Sequence, residues 1–591
     1  MSQLSPLTNG ASLGTLKGVS KREGSPKSSG SGGSASPDRV EAGRGDWKSQ
    51  LAQFGEVLQA RERLGLSDAL SNKEAGELVE KVLADTSPTE DLGVIADRRM
   101  AENGMVPGFT TQILAAAGAT QAATPDHPTV VDLRHLAMIS VDNGDLNPVT
   151  GKLENASQDI DQCEYAEKLP NGNIKMLVAI ADVDSLVKKG DLVDQQAMRH
   201  GATVYTDSKV FPMIPPNFSE ELTSLDEGKD RLATVKEFQV TPDGEIVEPK
   251  LYRGFIHNRA QMAYDSVNEW LTGGTGPRPP QLADPKLAEQ IILQDEAAQR
   301  LFHHFHARGS LDIESSEARA RISDGEVLSI KKEEQSRAKD KVKFNMMAAN
   351  ITTMQVLDGG GMPTLRRIVK TPEKWDKIVE LAKKYDFGLP SDPDAKALNS
   401  FLEARKEADP RAHEELCSEV VRLVGRGEYV VAQPGEPIEG HFNLAAPDYG
   451  HTTAPNRRAP DLVNQRIEKA YAQGEPCPYT PEELEELATH FSAQEKVIAG
   501  VEKSVHRSAS AKLMKSKIGQ TFDGQQSREL ANGSTLVRLE GLNVTGVVKG
   551  RLQGEVGDPV RVRLESVNVE KGWIDLATTA EQAFDGFLLK P

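Results

Sequence analysis

The sequence contains few cysteines, no long apolar run and no recognisable export signal. Three cysteines occur among 591 residues, Cys163, Cys417 and Cys477, and they are scattered and odd in number. This usage indicates a reducing compartment, here the cytoplasm, and no zinc site. No apolar run approaches the ~20 residues of a membrane helix. The N-terminus has no apolar signal core, so we expect neither membrane insertion nor export.

Net positive charge is also lacking, since the formal net charge is −18 at pH 7. At first sight this balance argues against a nucleic-acid partner. Net charge is a weak guide, however, because binding depends on local basic grooves and a bound metal ion supplies positive charge itself. No feature of the sequence marks an obligate protein partner, and we expect a monomer.

Composition and periodicity divide the chain into four parts, so a multidomain α+β protein is predicted. Residues 1–45 are rich in Ser, Gly and Lys and are predicted to be disordered. Residues 46–125 show a helical pattern, typical of a helix-turn-helix unit or of a plain helical bundle. Residues 126–515 have their strand signals early and their helix signals late. Residues 516–591 begin with five short strand signals, as in a small OB barrel.

Local signals place individual elements within these parts. Turn sequences predict hairpins at residues 170–173, 241–244 and 323–325. Periodicity, caps and breakers predict helices over about residues 71–84, 110–118, 285–307, 336–357, 372–385, 411–425, 460–473 and 481–514.

Carboxylates gather in one stretch of the α+β part. Asp142 ends an apolar run, and Asp159 and Asp161 alternate around Ile160, so in a strand they would project from one face. Asp182 ends the next apolar run and would reach the same region if the two strands pair. Gathered carboxylates repel one another unless a hard cation lies among them, and oxygen ligands suit Mg²⁺ or Mn²⁺. The stretch predicts a metal site, and solvated loop acids are the alternative.

A second cluster lies far downstream, in the stretch H-T-T-A-P-N-R-R-A-P-D-L at residues 451–462. Pro460 suits the first turn of a helix, and Asp461 complements the helix dipole. Arg457 and Arg458 therefore stand just before a helix N-terminus, where phosphate binding is favoured. An arginine pair that bridges surface acids is the alternative.

The order of these motifs resembles the catalytic domain of the RNase II/RNase R (RNB) exoribonucleases. The aspartate cluster, I-A-D-V, V-Y-T-D-S-K-V-F-P-M-I-P and the arginine stretch follow one another as in that family, over about residues 128–515. The C-terminal strands resemble the S1-type OB domain that ends such enzymes. The resemblance implies a processive, hydrolytic 3′→5′ exoribonuclease that degrades single-stranded RNA to nucleoside 5′-monophosphates with Mg²⁺.

The resemblance also implies which residues carry the chemistry. Asp142, Asp159 and Asp161 match the metal-binding carboxylates, with Asp161 the catalytic one, and Gln162 stands at a fourth metal position. Arg457 would contact the scissile phosphate and stabilise the transition state. Phosphodiester hydrolysis needs an activated water and neutralised phosphate oxygens, and carboxylate-bound metal ions supply both.

Further residues are implied to bind RNA. Tyr205 matches an aromatic residue that stacks on a base in the RNA channel, and Glu502 matches an acidic residue at the terminal nucleotides. Arg458 accompanies Arg457 in the phosphate-binding pair. The predicted barrel strands add a basic bias with Arg538 among their cations, which is typical of an RNA-binding face or of solvated surface.

The chain departs from the family pattern in several places. Gln162 replaces the usual aspartate, and an amide oxygen brings no charge to a cation. Residues 143–158 form an insertion whose Asp145 could approach the site, and Ile313 stands where an aromatic residue is common. The helical part replaces two cold-shock barrels. These departures leave open a catalytically weakened RNA-binding or regulatory protein, and, as a third hypothesis, a DNA-binding head in residues 46–125.

Overall fold

A computed structural model describes residues 73–311, 318–332, 334–554 and 556–579. The tail predicted to be disordered and Ile313 lie outside these ranges. No helix within them is long and apolar enough to cross a membrane.

Three helices precede the first strand: α1 (Lys73–Ala84), α2 (Leu92–Glu102) and α3 (Thr111–Gly118). Asp91 and Thr110 cap α2 and α3, because their side-chain oxygens accept hydrogen bonds from backbone N–H groups of the first turn. Ile95 packs with residues of the C-terminal barrel, whereas Ile113 packs with helices of the α+β part. The helices predicted here are confirmed, and the domain boundary at residue 125 stays a prediction.

The strands of the α+β part come next, with one helix among them. They are β1 (Val131–Asp132), β2 (Met138–Asp142), β3 (Asp145–Leu146), β4 (Leu153–Glu154), β5 (Gln162–Lys168), β6 (Ile174–Ala181), α4 (Leu192–His200), β7 (Val204–Tyr205), β8 (Val210–Phe211), β9 (Asp230–Val240) and β10 (Ile246–Ala263). The main sheet has the order β1-β10-β2-β5-β6-β9. The hairpins predicted at residues 170–173 and 241–244 are confirmed as β5–β6 and β9–β10.

Strand β10 closes the sheet on itself. It pairs with β9 through its first part and with β2 through its last part, so β2, β5, β6, β9 and β10 form a ring of pairings. One side of the sheet buries a cluster that includes Met138 and Leu177. Another cluster packs Met176 and Phe238 against two long helices.

The remaining elements of this part are mostly helical. They are α5 (Tyr264–Thr272), α6 (Pro285–Ala307), β11 (Ala318–Ser323), β12 (Glu326–Lys332), α7 (Arg337–Gly359), β13 (Thr364–Ile368), α8 (Trp375–Lys383), α9 (Ala395–Ala408), α10 (Pro410–Val424), β14 (Glu428–Ala432), α11 (Ala459–Gln473) and α12 (Pro481–Met514). All six helices predicted here are confirmed, and β11–β12 is the third predicted hairpin.

Sequence reasoning missed α4, α5 and α9. Two of them carried readable signals. Asp191 caps α4, and Gly201 ends it with φ +76°. Asp394 caps α9 by accepting the backbone N–H of Ala397. An aspartate before a short apolar stretch was therefore the signal to follow.

The chain ends in a closed five-stranded barrel. Its strands are β15 (Thr521–Glu529), β16 (Thr535–Leu539), β17 (Val544–Val548), β18 (Pro559–Asn568) and β19 (Trp573–Thr578). They follow the order β15-β16-β17-β19-β18. The barrel and the strand-rich and helix-rich regions confirm the predicted α+β fold class.

Candidate active site

Three aspartates from two neighbouring segments line one cavity of about 570 Å³. Asp142 is the last residue of β2, and Asp159 and Asp161 lie just before β5. Because β2 and β5 are neighbours in the sheet, their adjacent ends deliver carboxylates to one place. The structure thus brings together the three residues that the sequence singled out. We call them the cavity aspartates.

The segment around Ile160 differs from the prediction. Residues 159–161 are irregular chain and not a strand, so strand alternation is the wrong reason for their shared orientation. The backbone N–H of Ile160 donates to Ser224 Oγ (2.9 Å), and the carbonyl of Ile160 accepts the N–H of Leu225 (3.0 Å). Ile160 is buried between these anchors. The motif L-T-S-L at residues 222–225 therefore positions the aspartates.

Arg457 supplies a cation at the cavity. Its Nε donates to Asp161 Oδ2 at 2.8 Å, and its side chain is 43% exposed. The backbone N–H of Thr203 donates to the carbonyl of Arg457 (2.9 Å), which ties this segment to the chain entering β7. Arg457 therefore faces the carboxylates from a segment almost 300 positions away in sequence.

The predicted arginine pair is split by the fold. Both arginines precede α11, as expected, but Arg458 does not line the cavity. Its Nη2 donates to Asp461 Oδ1 (2.7 Å), and the same oxygen accepts the backbone N–H of Thr453 and Ala454. Arg458 thus helps to hold the loop that presents Arg457.

The cavity aspartates are buried, and they carry more negative charge than their ion pair with Arg457 balances. Burial raises the pKa of Asp161 to about 7, even though Arg457 opposes the shift. Burial also raises the pKa of Asp142 and of Asp159 above their ordinary values. Asp161 Oδ1 is buried and has no hydrogen-bond partner among the residues that the structure describes. In the described part of the chain, Arg457 is the cation that forms an ion pair with these carboxylates, so a further cation bound between them would stabilise the site.

The donor set fits a hard divalent cation in its chemistry. No three His, Cys, Asp or Glu side chains among the described residues already stand as a complete ligand set. Mg²⁺ is commonly held by one or two carboxylates together with waters and substrate phosphate oxygens, so it does not require such a set. Asp142, Asp159 and the unpartnered oxygen of Asp161 are the atoms that would hold it.

Gln162 lines the cavity but is engaged with a neighbour. Its Nε2 donates to Glu164 Oε1 (2.7 Å). Glu164 in turn lies 3.0 Å from Lys341 Nζ and accepts a hydrogen bond from Asn345 (2.9 Å). Both members of the Glu164–Lys341 ion pair are buried. Gln162 can therefore offer a cation only its carbonyl oxygen.

Asp182 does not join the site, so its predicted position is wrong. Its Oδ1 accepts from Lys469 Nζ (2.8 Å) and its Oδ2 from Arg253 Nη2 (3.0 Å), with the carboxylate fully buried. Burial opposes the charge, but Lys469 and Arg253 hold the pKa of Asp182 below its ordinary value. Arg466 forms ion pairs with both Asp184 and Asp194, although burial raises the pKa of Asp194. We call Asp182, the half-buried Asp184 and Asp194 the buried aspartates.

The two other predicted RNA-binding residues occupy different places. Tyr205 lines the cavity, where burial raises the pKa of its hydroxyl. Glu502 on α12 does not line it; instead Glu502 Oε1 accepts the backbone N–H of Tyr205 (2.9 Å). Glu502 thus fixes the strand that carries Tyr205. Asp145 lies in a neighbouring cavity of about 250 Å³.

Sequence reasoning missed the cations opposite the carboxylates. Arg319 on β11 and three lysines of α7, Lys339, Lys341 and Lys343, also line the cavity. Lys339 and Lys343 are four positions apart and share one face of α7, as on an ordinary polar helix surface, and only the packing of α7 against the sheet shows that the lysines line the cavity. Tyr264 was missed for the same reason.

Comparison with known proteins now identifies the class. The sequence matches the RNB domain over residues 131–474, and the chain belongs to that family. Among curated relatives, Ribonuclease R of Thermotoga maritima is 30% identical over 464 residues, 75% of this chain and 61% of that protein. Ribonuclease R 1 of Lactococcus lactis is 25% identical over 522 residues, 82% of this chain and 61% of that protein. The chain thus spans about three fifths of the length of these relatives.

A solved structure shares the fold. Mycoplasma genitalium RNase R in complex with ribose-methylated single-stranded RNA superimposes with a TM-score of 0.73 at 22% identity. The match covers 83% of this chain and 78% of that one. An RNase R-like fold is therefore shown for the described residues.

Proposed function

We propose that the chain is a processive, hydrolytic 3′→5′ exoribonuclease that degrades single-stranded RNA to nucleoside 5′-monophosphates with Mg²⁺, or with Mn²⁺. The observation that carries the proposal is the meeting of the three cavity aspartates with Arg457 around one unpartnered carboxylate oxygen. Membership of the RNB family supports it. We also propose that the protein acts in the cytoplasm as a monomer.

The residues divide the work of hydrolysis among them. A bound divalent cation supplies an activated water and neutralises charge at the phosphate. The cavity aspartates would hold that cation, and its charge would oppose the effect of burial and favour the ionised form of Asp161, whose pKa burial raises to about 7 without a metal. Arg457 bonds Asp161 through Nε, which leaves its Nη groups to donate to a phosphate oxygen as negative charge develops.

The walls of the cavity suit the rest of a nucleotide. Tyr205 and Tyr264 offer aromatic surfaces on which bases can stack. Lys339, Lys343 and Arg319 offer cations to the phosphates that follow. The acids and cations that line this cavity together match a polyanion that binds along with a metal ion.

Labelled RNA tests the proposal. The protein is incubated with Mg²⁺ and a 3′-labelled or a 5′-labelled oligonucleotide. We expect immediate release of labelled mononucleotide from the 3′ label and conversion of the 5′-labelled strand to a short limit product with few intermediate lengths. Internal fragments, or equal release by an Asp161→Asn variant, would contradict the proposal.

A second candidate function rests on Gln162. This amide stands where the resemblance leads one to expect a carboxylate, and its nitrogen donates a hydrogen bond to Glu164. A catalytically weakened RNA-binding protein would bind RNA in EDTA and release no mononucleotide at any Mg²⁺ or Mn²⁺ concentration. The same assay, repeated over a metal titration, separates the two candidates.

A further inference from the structure

Five cations meet where α10, α12 and the barrel adjoin. They are Arg422 and Arg426 at the end of α10, Lys503 and Arg507 on α12, and Arg528 on β15, and we call them the junction cluster. All five side chains are exposed. None of them is an RNA-binding residue expected from the sequence.

The packing of the barrel explains why they meet. Arg538 of the barrel pairs with Glu414 (3.0 Å) and with Glu415 on α10, and Ser527 Oγ donates to Glu415 (3.2 Å). Arg528, the residue after Ser527, is thereby brought beside α10. Lys503 and Arg507 are one helical turn apart, so they share one side of α12.

The cluster has no compensating acid. Among the described residues, no side chain of the five makes an ion pair or a side-chain hydrogen bond. Partial removal from water, and then repulsion by Arg507, Arg528, Arg426 and Arg422, lower the pKa of Lys503. Uncompensated cations are unexpected in a chain of net charge −18, and an incoming polyanion would relieve their repulsion.

The barrel strands that the sequence marked as basic are different. Arg551 lies near Glu529 (3.5 Å), Arg561 near Asp523 (3.8 Å) and Arg563 near Glu565 (3.8 Å). Arg538 is occupied by α10. Acids therefore balance much of the predicted basic face, and the uncompensated charge lies at the junction.

Helix α12 connects the junction cluster to the cavity. Glu502, which precedes Lys503, holds the backbone of Tyr205, and Tyr205 lines the cavity. A strand whose 3′ end lies at the cavity aspartates can thus follow α12 toward the barrel. Flexible single-stranded RNA is suited to such a route because its backbone can bend between the two sites.

We propose that the junction cluster binds the sugar-phosphate backbone of the RNA strand, several nucleotides 5′ of the cavity. The proposal rests on the proposed function for its polarity, since that function places the 3′ end in the cavity. Phosphates bound there would anchor a long substrate while its end is shortened.

The test removes one cation from each element. A triple variant, Arg422→Gln, Lys503→Gln and Arg528→Gln, is compared with a control, Lys377→Gln, Lys383→Gln and Lys384→Gln, which removes three exposed charges at α8. Binding of 5′-fluorescein oligouridylates of 24 and 4 nucleotides is measured by anisotropy in EDTA over a range of NaCl concentrations. Thermal melts verify that both variants fold.

We expect the triple variant to bind the long RNA about a hundredfold more weakly at 0.1 M salt, with its salt slope reduced by about 0.7 per cation removed. Binding of the short RNA, and binding by the control, should stay as in the wild type. An unchanged slope, or an equal loss for both RNA lengths, would overturn the proposal. Absence of mononucleotide release by the wild type would instead overturn the proposed function, because the EDTA measurement does not depend on turnover.

Discussion

Two groups of aspartates lie near each other at the ends of the main sheet, and they differ in how their charge is balanced. The buried aspartates share Arg253, Arg466 and Lys469 among them. Within the described ranges, the cavity aspartates share one ion pair, between Asp161 and Arg457. The buried aspartates are paired with cations of the protein itself. The cavity aspartates retain negative charge that can bind a cation.

The difference shows how a structural carboxylate can be told from a functional one. A buried acid that is fully paired contributes to the arrangement of the fold, and breaking the pair leaves an uncompensated charge. A cluster that burial leaves under-neutralised is instead a candidate for ligand binding. The same contrast separates the balanced cations of the barrel from the junction cluster.

The largest expected effect is on catalysis. Asp161→Asn should lower mononucleotide release by about 10³-fold or more, because it removes a metal-binding oxygen and the partner of Arg457. The melting temperature should stay the same or rise, since a desolvated charge is lost. Asp145→Asn, at the neighbouring cavity, is the matched control and should remain active. If Asp161→Asn released mononucleotide at a rate within tenfold of the wild type, the cavity aspartates would no longer differ in function from the buried aspartates.

Asp182→Asn should have the opposite profile. It leaves Lys469 and Arg253 facing a neutral amide, and we expect a loss of about 3 kcal/mol in the free energy of unfolding. Denaturant titration measures the loss, and Asp392→Asn on the surface serves as the control. Activity per folded molecule should be retained. A stable but inactive Asp182→Asn variant would show that Asp182 belongs to the site after all.

The stability of the metal-free protein should depend on pH through Asp161. Its folded pKa of about 7 lies above the unfolded value near 4, so the folded state binds the proton more tightly. This contribution destabilises the fold as pH rises from about 4 to 7, with a slope that approaches about 1.4 kcal/mol per pH unit. Denaturation curves in EDTA should lose that slope in Asp161→Asn, and Mg²⁺ should weaken it. Identical slopes in both proteins would disagree with the assignment.

The smallest effect is expected for Gln162→Asp. The new carboxylate could bind a cation, but it would lose the hydrogen bond to Glu164 and face that residue's negative charge. We therefore expect the Mg²⁺ concentration for half-maximal hydrolysis to fall only by about threefold. Gln162→Ala is the control. An increased Mg²⁺ requirement would show that position 162 does not contact the cation.

Local signals were sufficient for much of the fold. Caps, prolines and turn residues predicted the long helices and the three hairpins, because these elements form from contacts within a few residues. Local patterns also identified Asp142, Asp159 and Asp161, which lie at adjacent strand ends. They failed for Asp182, because the side to which a residue turns after a strand depends on the elements packed there, here α11 and β10.

The sequence by itself determined the long helices, the hairpins, the family and the residue types that the chemistry needs. Only the tertiary structure decided which charges remain uncompensated. Arg457 and Arg458 are adjacent in sequence, yet one faces the cavity and the other holds Asp461. The junction cluster draws on three elements separated by up to about a hundred residues. Charge balance is a sum over neighbours in space, and those neighbours are fixed only when distant segments pack together.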